Sequence, residues 1–182
     1  AATMSAGVGT SDPFVSDAEY GRACGANFTS SGSPSNTSGC TFLVTGRPMS
    51  ISGIRFWWDG AGSRTVRCSL WDGVGNFLVA NGEVACSAAG IYTLSFPSPV
   101  EISSFREYRV SKIDLSAPHR WFATNANVSA QTSALMTAAS FFGQPAGQGW
   151  RRTGGCVSTA DGDTFPDADD STAIYFVDPV LV

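Results

Sequence analysis

The chain has 182 residues, of which 43% are hydrophobic and only 14% are charged. This length fits one domain with a substantial core, and the low charge excludes intrinsic disorder of the highly charged kind. The formal net charge of −4 provides no basic field for a phosphate backbone, so nucleic acid is not expected as a partner. No apolar run approaches the roughly 20 residues of a membrane-spanning helix, so membrane insertion is not expected.

The first residues are small and polar, and they show no hydrophobic periodicity. A terminal segment of this composition is ordered only when its own domain or a neighbouring copy holds it in place. We therefore predict an extended N-terminal arm over residues 1–13 and a single β-sandwich domain over residues 14–182.

From Phe42 onward, Gly, Asn, Asp and Pro recur at short intervals and separate stretches that favour β-strands. Residues 51–58 alternate Ile and aromatic side chains with smaller or polar ones. Pro97 and Pro99 indicate a strand edge or a corner, because proline cannot donate to a central ladder. The pattern predicts an all-β fold, an antiparallel β-sandwich of the jelly-roll kind.

Five segments in a fixed order carry a family resemblance. They are Gly53-Ile54-Arg55-Phe56-Trp57, Ser69-Leu70-Trp71, Phe77-Leu78-Val79-Ala80, Phe96-Pro97-Ser98-Pro99-Val100 and Tyr175-Phe176-Val177-Asp178. Their order resembles a family of bacterial secreted β-sandwich modules of unknown function, over about Thr45 to Val182. The chain departs from that family at Arg106 and Glu107, where members tend to have a Gly-Thr turn, and in its extra cysteines.

The resemblance implies an extracellular or surface accessory role, since members resemble parts of multi-domain proteins that also carry immunoglobulin-like and sugar-active modules. It implies no catalytic residues.

Cysteine positions allow more than one disulfide. Cys24 and Cys40 flank a loop rich in Ser, Gly and Asn, which a disulfide would close with an entropic gain. Cys68 and Cys86 lie on adjacent predicted strands and are the candidates for a second disulfide, although a symmetric turn would not place them opposite each other. With five cysteines in the chain, one is left over, and we expect Cys156 to be a half-buried thiol.

Nucleophilic catalysis would require a nucleophile, a base and an orienting acid. His119 is the single histidine, and the sequence contains neither a G-x-S-x-G nor an H-E-x-x-H motif. An enzyme is therefore not expected.

An acidic cluster precedes the last predicted strand, and its members are Asp161, Asp163, Asp167, Asp169 and Asp170. Carboxylates at alternating loop positions suit Ca²⁺, although the EF-hand frame is absent. A calcium site would use Asp161 and Asp163 with Asp167 or Asp169. The alternative is a solvated acidic loop without any cofactor.

Tryptophan supplies the other candidate binding residues. Trp57 and Trp58 are consecutive on one predicted strand, so they point to opposite faces, and one of them looks outward. We take Trp58 as the outward candidate. Trp150, Arg151 and Arg152 follow a Gly-rich loop and form a second candidate patch. Such residues can stack on a sugar ring or bury against a neighbouring subunit, or they can simply fill the core.

These observations lead to two functional hypotheses. The first is a non-enzymatic structural or accessory subunit that decorates or builds a surface assembly, such as a virion exterior, a filament or a cell-surface layer. Its partners would be copies of itself or other subunits, and its location would be extracellular, on the cell surface or on the virion exterior. The alternative is a carbohydrate-binding module that recognises a glycan through an exposed tryptophan, with calcium as a possible cofactor.

Overall fold

A computed structural model describes residues 37–44, 48–59, 62–116, 124–125, 150–158, 160, 162–170, 173–175 and 177–182. Within these ranges the chain is all-β, and no helix there could cross a membrane. The predicted arm over residues 1–13 lies outside the described residues.

Eleven strands follow one another along the described parts of the chain. They are β1 (Ser38–Val44), β2 (Met49–Asp59), β3 (Arg64–Asp72), β4 (Phe77–Cys86), β5 (Ala89–Ile102), β6 (Arg106–Asp114), β7 (Thr124–Asn125), β8 (Trp150–Val157), β9 (Ala168–Asp170), β10 (Ala173–Ile174) and β11 (Val177–Leu181).

Two antiparallel sheets pack against each other. The larger has six strands in the order β4-β3-β6-β1-β8-β9, and the smaller has three in the order β11-β2-β5. The pairing of the first six strands is nested, because β1 pairs with β6, β2 with β5, and β3 with β4. The middle pair lies in the opposite sheet from the other two, which is the wrapping of a jelly roll. The predicted antiparallel β-sandwich is confirmed.

The core lies between the inner faces of the two sheets. Its largest fully buried side chains are Trp58, Phe42, Phe56, Ile51, Ile54, Leu70, Ile102 and Val44. From β3 the core takes every second residue, Val66, Cys68 and Leu70, as the alternation of side chains along a strand requires. Between neighbouring strands β1 and β6, Phe42 stacks on Tyr108 with ring centroids 5.9 Å apart.

Each long edge strand carries a feature that hinders pairing with another chain. In β4 the register shift relative to β3 leaves Val79 as the extra residue of a bulge. In β5 the register with β2 is interrupted where Pro97 and Pro99 lie. At the other end of the large sheet, β9 is only three residues long and contains Asp169 and Asp170.

A segment that we call the outer strap, residues 162–167, crosses the outer face of the large sheet. The hydroxyl group of Thr37 anchors its start, since Oγ1 donates to the carbonyl oxygen of Gly162 at 3.0 Å and accepts from the backbone N–H of Thr164 at 3.2 Å. The hydroxyl groups of Ser158 and Thr164 also bond to each other. The strap thus forms a partial third layer over the sandwich.

Candidate functional site

One end of the sandwich exposes large apolar side chains on two adjacent turns. Val74 is 65% exposed, Phe77 is 53% exposed and Phe105 is 80% exposed. Val74 lies in the β3–β4 turn, Phe77 begins β4, and Phe105 lies in the β5–β6 turn. We call these three residues the apolar end. Because large apolar side chains on rigid turns are typical of interaction sites, this end is the candidate functional site.

Asp72 fixes the β3–β4 turn. Its Oδ1 atom accepts hydrogen bonds from the backbone N–H groups of Val74 at 3.0 Å and Gly75 at 2.7 Å. The backbone N–H of Asn76 donates to the carbonyl oxygen of Asp72 at 2.9 Å. A Cβ atom at Gly75 would lie 2.5 Å from Cε1 of Phe77, so the phenyl ring rests directly on the turn.

Phe105 holds an unusual backbone conformation in the β5–β6 turn. Its φ is 56°, a left-handed value that is an outlier for a bulky residue and costs about 1–2 kcal/mol. Its backbone N–H donates to the carbonyl oxygen of Val44 at 2.6 Å. The hydroxyl oxygen of Tyr108 accepts from the N–H of Ser103 at 2.8 Å. The turn therefore holds a strained aromatic residue in solvent.

The two turns are joined to each other. The backbone N–H of Gly73 donates to the carbonyl oxygen of Glu107 at 2.9 Å, and Nε of Arg106 donates to Oδ2 of Asp72. Burial alone would raise the pKa of Asp72, but hydrogen bonds from Arg106, Gly75 and Val74 outweigh it and lower this pKa. Asp72 therefore stays ionised and neutralises Arg106, which is half-exposed between the two turns.

Arg109 and the outer strap form a second, buried constellation. The guanidinium carbon of Arg109 lies 5.0 Å from the ring centroid of Phe165, and Trp71 meets the same ring edge-on at 6.0 Å. Nη1 of Arg109 donates to the carbonyl oxygen of Pro166. Nε1 of Trp71 donates to Oγ of Ser111 at 2.7 Å. These contacts use the aromatic and cationic groups to hold the strap.

Two of the predicted calcium ligands, Asp163 and Asp169, form ion pairs with arginines. Oδ2 of Asp163 lies 3.4 Å from Nη1 of Arg67, and Oδ1 of Asp169 lies 2.9 Å from Nη2 of Arg109. Asp161 lies outside the described residues. Among those that are described, no group of three acidic, His or Cys side chains could hold a metal. Asp163 and Asp169 thus form ion pairs with arginines that lie on two different strands. Asp167 is exposed.

The assignment of Trp58 to an exposed face is wrong. Trp58 is 1% exposed and belongs to the core, whereas Trp57 points the other way and is half-buried against the core. The sequence predicted opposite directions correctly but not which residue faces inward. Ile54 and Phe56 point into the core and so define the inward face of β2. Trp58 points the same way because side chains at every second position of a strand share one face.

The second predicted patch lies at the start of strand β8. The backbone of β8 pairs with β1, and Trp150, Arg151 and Arg152 lie opposite Val44, Leu43 and Phe42 in that register. A binding role for these three residues stays a prediction. His119 lies outside the described residues.

The predicted second disulfide, between Cys68 and Cys86, is wrong. Cys68 lies opposite Gly82, and Cys86 lies opposite Arg64, so four strand positions, about 13 Å, separate the two cysteines along the hairpin. A disulfide requires Cα atoms within about 7 Å.

The cysteines in the described part of the chain are all buried. Cys156 is fully buried, not half-buried as predicted. No disulfide forms within the described part of the chain. The Sγ atom of Cys40 lies 3.7 Å from Oδ1 of Asp178. Cys24 lies outside the described residues, so the Cys24–Cys40 disulfide stays a prediction.

The jelly-roll wrapping and the apolar end define a β-sandwich module whose turns expose large apolar side chains. A comparison with family models matches residues 23–177 to the domain of unknown function DUF4082. The match covers most of the chain, so the chain belongs to this family. No curated protein matches the sequence. Membership of a domain family of unknown function is thus confirmed, while bacterial secretion and the neighbouring modules stay predictions.

Sequence reasoning missed Phe105 and Val74. No residue pattern in a turn such as residues 103–105 predicts that the backbone of an aromatic residue will adopt a left-handed conformation. The one nearby signal is the departure from the family pattern at Arg106 and Glu107, and Arg106 is the residue that ties this turn to Asp72.

Proposed function

We propose that this chain is a non-catalytic β-sandwich module that decorates or builds a larger surface assembly, and that it attaches to neighbouring subunits through the apolar end. The observation that carries the proposal is Phe105, an aromatic residue that is 80% exposed and held at φ 56°. A residue that is both strained and apolar in water lowers the stability of the isolated module. Burial against a partner offsets that cost.

The rigidity of the site supports the same proposal. Both turns are fixed by hydrogen bonds to Asp72, Val44 and Tyr108, so little conformational entropy is lost when a partner binds. The charges of Arg106 and Asp72 neutralise each other, which leaves an apolar contact surface and favours a partner of similar character, including a second copy of the module.

The native mass from light scattering tests this function. We expect wild-type protein to exceed the mass of one chain at high concentration, and Phe105→Ser to return it to the mass of one chain. Val182→Ser is the matched control, since Val182 is exposed and apolar but lies outside the two turns. A wild type that stays monomeric, or an oligomer that Phe105→Ser leaves intact, would contradict the proposal and favour the carbohydrate-binding alternative.

A further inference from the structure

A polar cleft lies at the end of β3 opposite the apolar end. The nine residues of β3 span about 30 Å, so the two sites are well separated. The cleft has a volume of about 240 Å³. The residues that line it include Ser63, Arg64, Thr65, Cys86, Ser87 and Ser116.

Four of the residues that line the cleft carry hydroxyl groups, and the hydroxyl group of Ser116 is fixed by the neighbouring strand β3. The backbone N–H of Thr65 donates to Oγ of Ser116 at 3.2 Å, and the backbone N–H of Ser116 donates to Oδ1 of Asp114 at 2.9 Å. The backbone N–H of Leu115 donates to the carbonyl oxygen of Thr65 at 2.9 Å. The start of β3 and the end of β6 therefore form a rigid wall.

Arg64 places a guanidinium group in this wall. Its Nη1 atom donates to the carbonyl oxygen of Ser116 at 2.9 Å and lies 3.7 Å from Oδ2 of Asp114. The side chain of Arg64 is 14% exposed and that of Asp114 only 1% exposed, so the cation lies nearer to the cleft than the carboxylate. A guanidinium group carries five N–H donors in a planar fork that matches a carboxylate.

A second cation lies behind the cleft. Lys112 is buried, and both Lys112 and Asp114 act electrostatically on the Cys86 thiol in the cleft lining. Among the residues that line the cleft, Arg64 is the charged one. It brings a cation to this end of the fold, although the formal net charge of the chain is −4.

We propose that this cleft binds the carboxylate of an acidic sugar residue, with Arg64 as the anion-binding side chain and the serine and threonine hydroxyl groups as partners for the ring hydroxyl groups. The volume is below the usual range of about 300–1,000 Å³ for drug-sized ligands, which suits a ligand of about one sugar ring. Polar and apolar atoms line the cleft about equally, and the hydroxyl groups of the lining match those of a polyhydroxylated ligand. The inference does not rest on the proposed assembly function, because no residue of the apolar end takes part.

NMR titration of the full chain tests the inference. The probes are glucuronate, glucose as the sugar ring without the carboxylate, and acetate as the carboxylate without the ring. We expect glucuronate to shift the backbone amide signals of Ser63, Ser87 and Ser116 in a saturable manner. Glucose and acetate should bind at least about tenfold more weakly, because each lacks one of the two sets of hydrogen bonds.

Two variants with matched controls locate the site. Arg64→Gln should weaken glucuronate binding about tenfold or more, whereas Arg67→Gln, on the same strand and also paired with a carboxylate, should not. Since Arg64→Gln also disturbs the buried Asp114, Ser87→Leu provides an independent test that fills the cleft from an exposed position. Ser98→Leu, at an exposed position of β5 outside the cleft, is its control.

Three results would overturn the inference. They are the absence of saturable shifts at the cleft amides, acetate binding as tight as that of glucuronate, and glucuronate binding that survives Ser87→Leu. The assembly function is read out separately by the native mass of Phe105→Ser, so the failure of one proposal is distinguishable from the failure of the other.

Discussion

Arg67 and Asp163 connect the outer strap to the large sheet. Their Nη1 and Oδ2 atoms lie 3.4 Å apart, and Arg67 bonds at the same time to Oε1 of Glu83 on β4 at 2.6 Å. Burial raises the pKa of Asp163, and the hydrogen bond from Arg67 offsets this shift only in part. The carboxylate of Asp163 therefore holds the strap, although burial disfavours its ionised form.

Stability should depend on pH through Asp163. A raised folded-state pKa means that the folded chain binds a proton more readily than the unfolded chain, so this group destabilises the fold as pH rises above its ordinary value of 3.8. We expect wild-type protein to lose stability relative to Asp163→Asn as pH rises from about 4 toward neutral pH. Urea denaturation across this range measures the difference, and parallel pH profiles would contradict it.

Asp72 should show the opposite pH dependence. Hydrogen bonds outweigh burial and lower its pKa below 3.8, so its contribution is fully present above that value and is lost as pH falls through the folded-state pKa. Asp72→Asn should therefore lower the free energy of unfolding most at neutral pH and progressively less as the solution becomes more acidic. A cost that grows on acidification, seen in the same urea experiment, would refute this assignment.

Phe105→Gly should stabilise the isolated module by about 1 kcal/mol, because glycine adopts a left-handed φ without the strain of a side chain. Asn76→Gly is the control, since Asn76 has the same φ of 56° but tolerates it better, and its gain should be smaller. Thermal unfolding of both variants measures these gains. A destabilised Phe105→Gly would show that the aromatic side chain contributes to the fold rather than to an interface.

Arg109→Lys should loosen the outer strap. The guanidinium group bonds to Pro166, Glu107 and Asp169 at once, and an ammonium group cannot reproduce this fork, so we expect a loss of about 1–3 kcal/mol. Hydrogen exchange should accelerate over residues 162–167 while β2 stays protected. Arg106→Lys, a half-exposed site, is the control, and equal exchange in the strap of both variants would disprove the role of Arg109.

Gly39→Ala should prevent folding or cost about 3 kcal/mol or more, because a Cβ atom there would lie 1.8 Å from the carbonyl oxygen of Val110. Gly82→Ala is the control. The three atoms nearest to its Cβ atom would all belong to the side chain of Leu94, with Cδ1 the nearest at 2.7 Å, and the expected cost is about 1 kcal/mol or less. Circular dichroism with urea denaturation compares the two, and a well-folded Gly39→Ala would contradict the close approach of β1 to β6.

Local sequence signals account for most of the fold. The turn residues between β3 and β4 are a local signal, and so is the alternation of side chains along β2. Because each signal spans only a few residues, the strands and the sandwich could be predicted from the sequence. Consecutive residues of a strand point to opposite faces, so Trp57 and Trp58 had to face opposite sides of the sheet. Which of the two faces inward depends on packing against the other sheet, and a short sequence pattern does not contain that information.

The candidate site could not be predicted in the same way. Asp163 and Asp169 suggested a cation because their neighbours in the sequence are acidic, but the fold pairs them with Arg67 and Arg109 from strands far away in the chain. The exposure of Phe105 follows from where the β5–β6 turn lies relative to Val44. Both features depend on tertiary neighbours rather than on local propensity.

Nested strand pairing also constrains how the module is made. The β3–β4 hairpin closes over the four residues 73–76, so it can form as soon as both strands have left the ribosome. Strand β1 is synthesised much earlier than either of its neighbours, β6 and β8, so its backbone groups have no partner strand until they emerge. Because these contacts are remote in sequence, we expect the sheet to close late and the module to fold slowly.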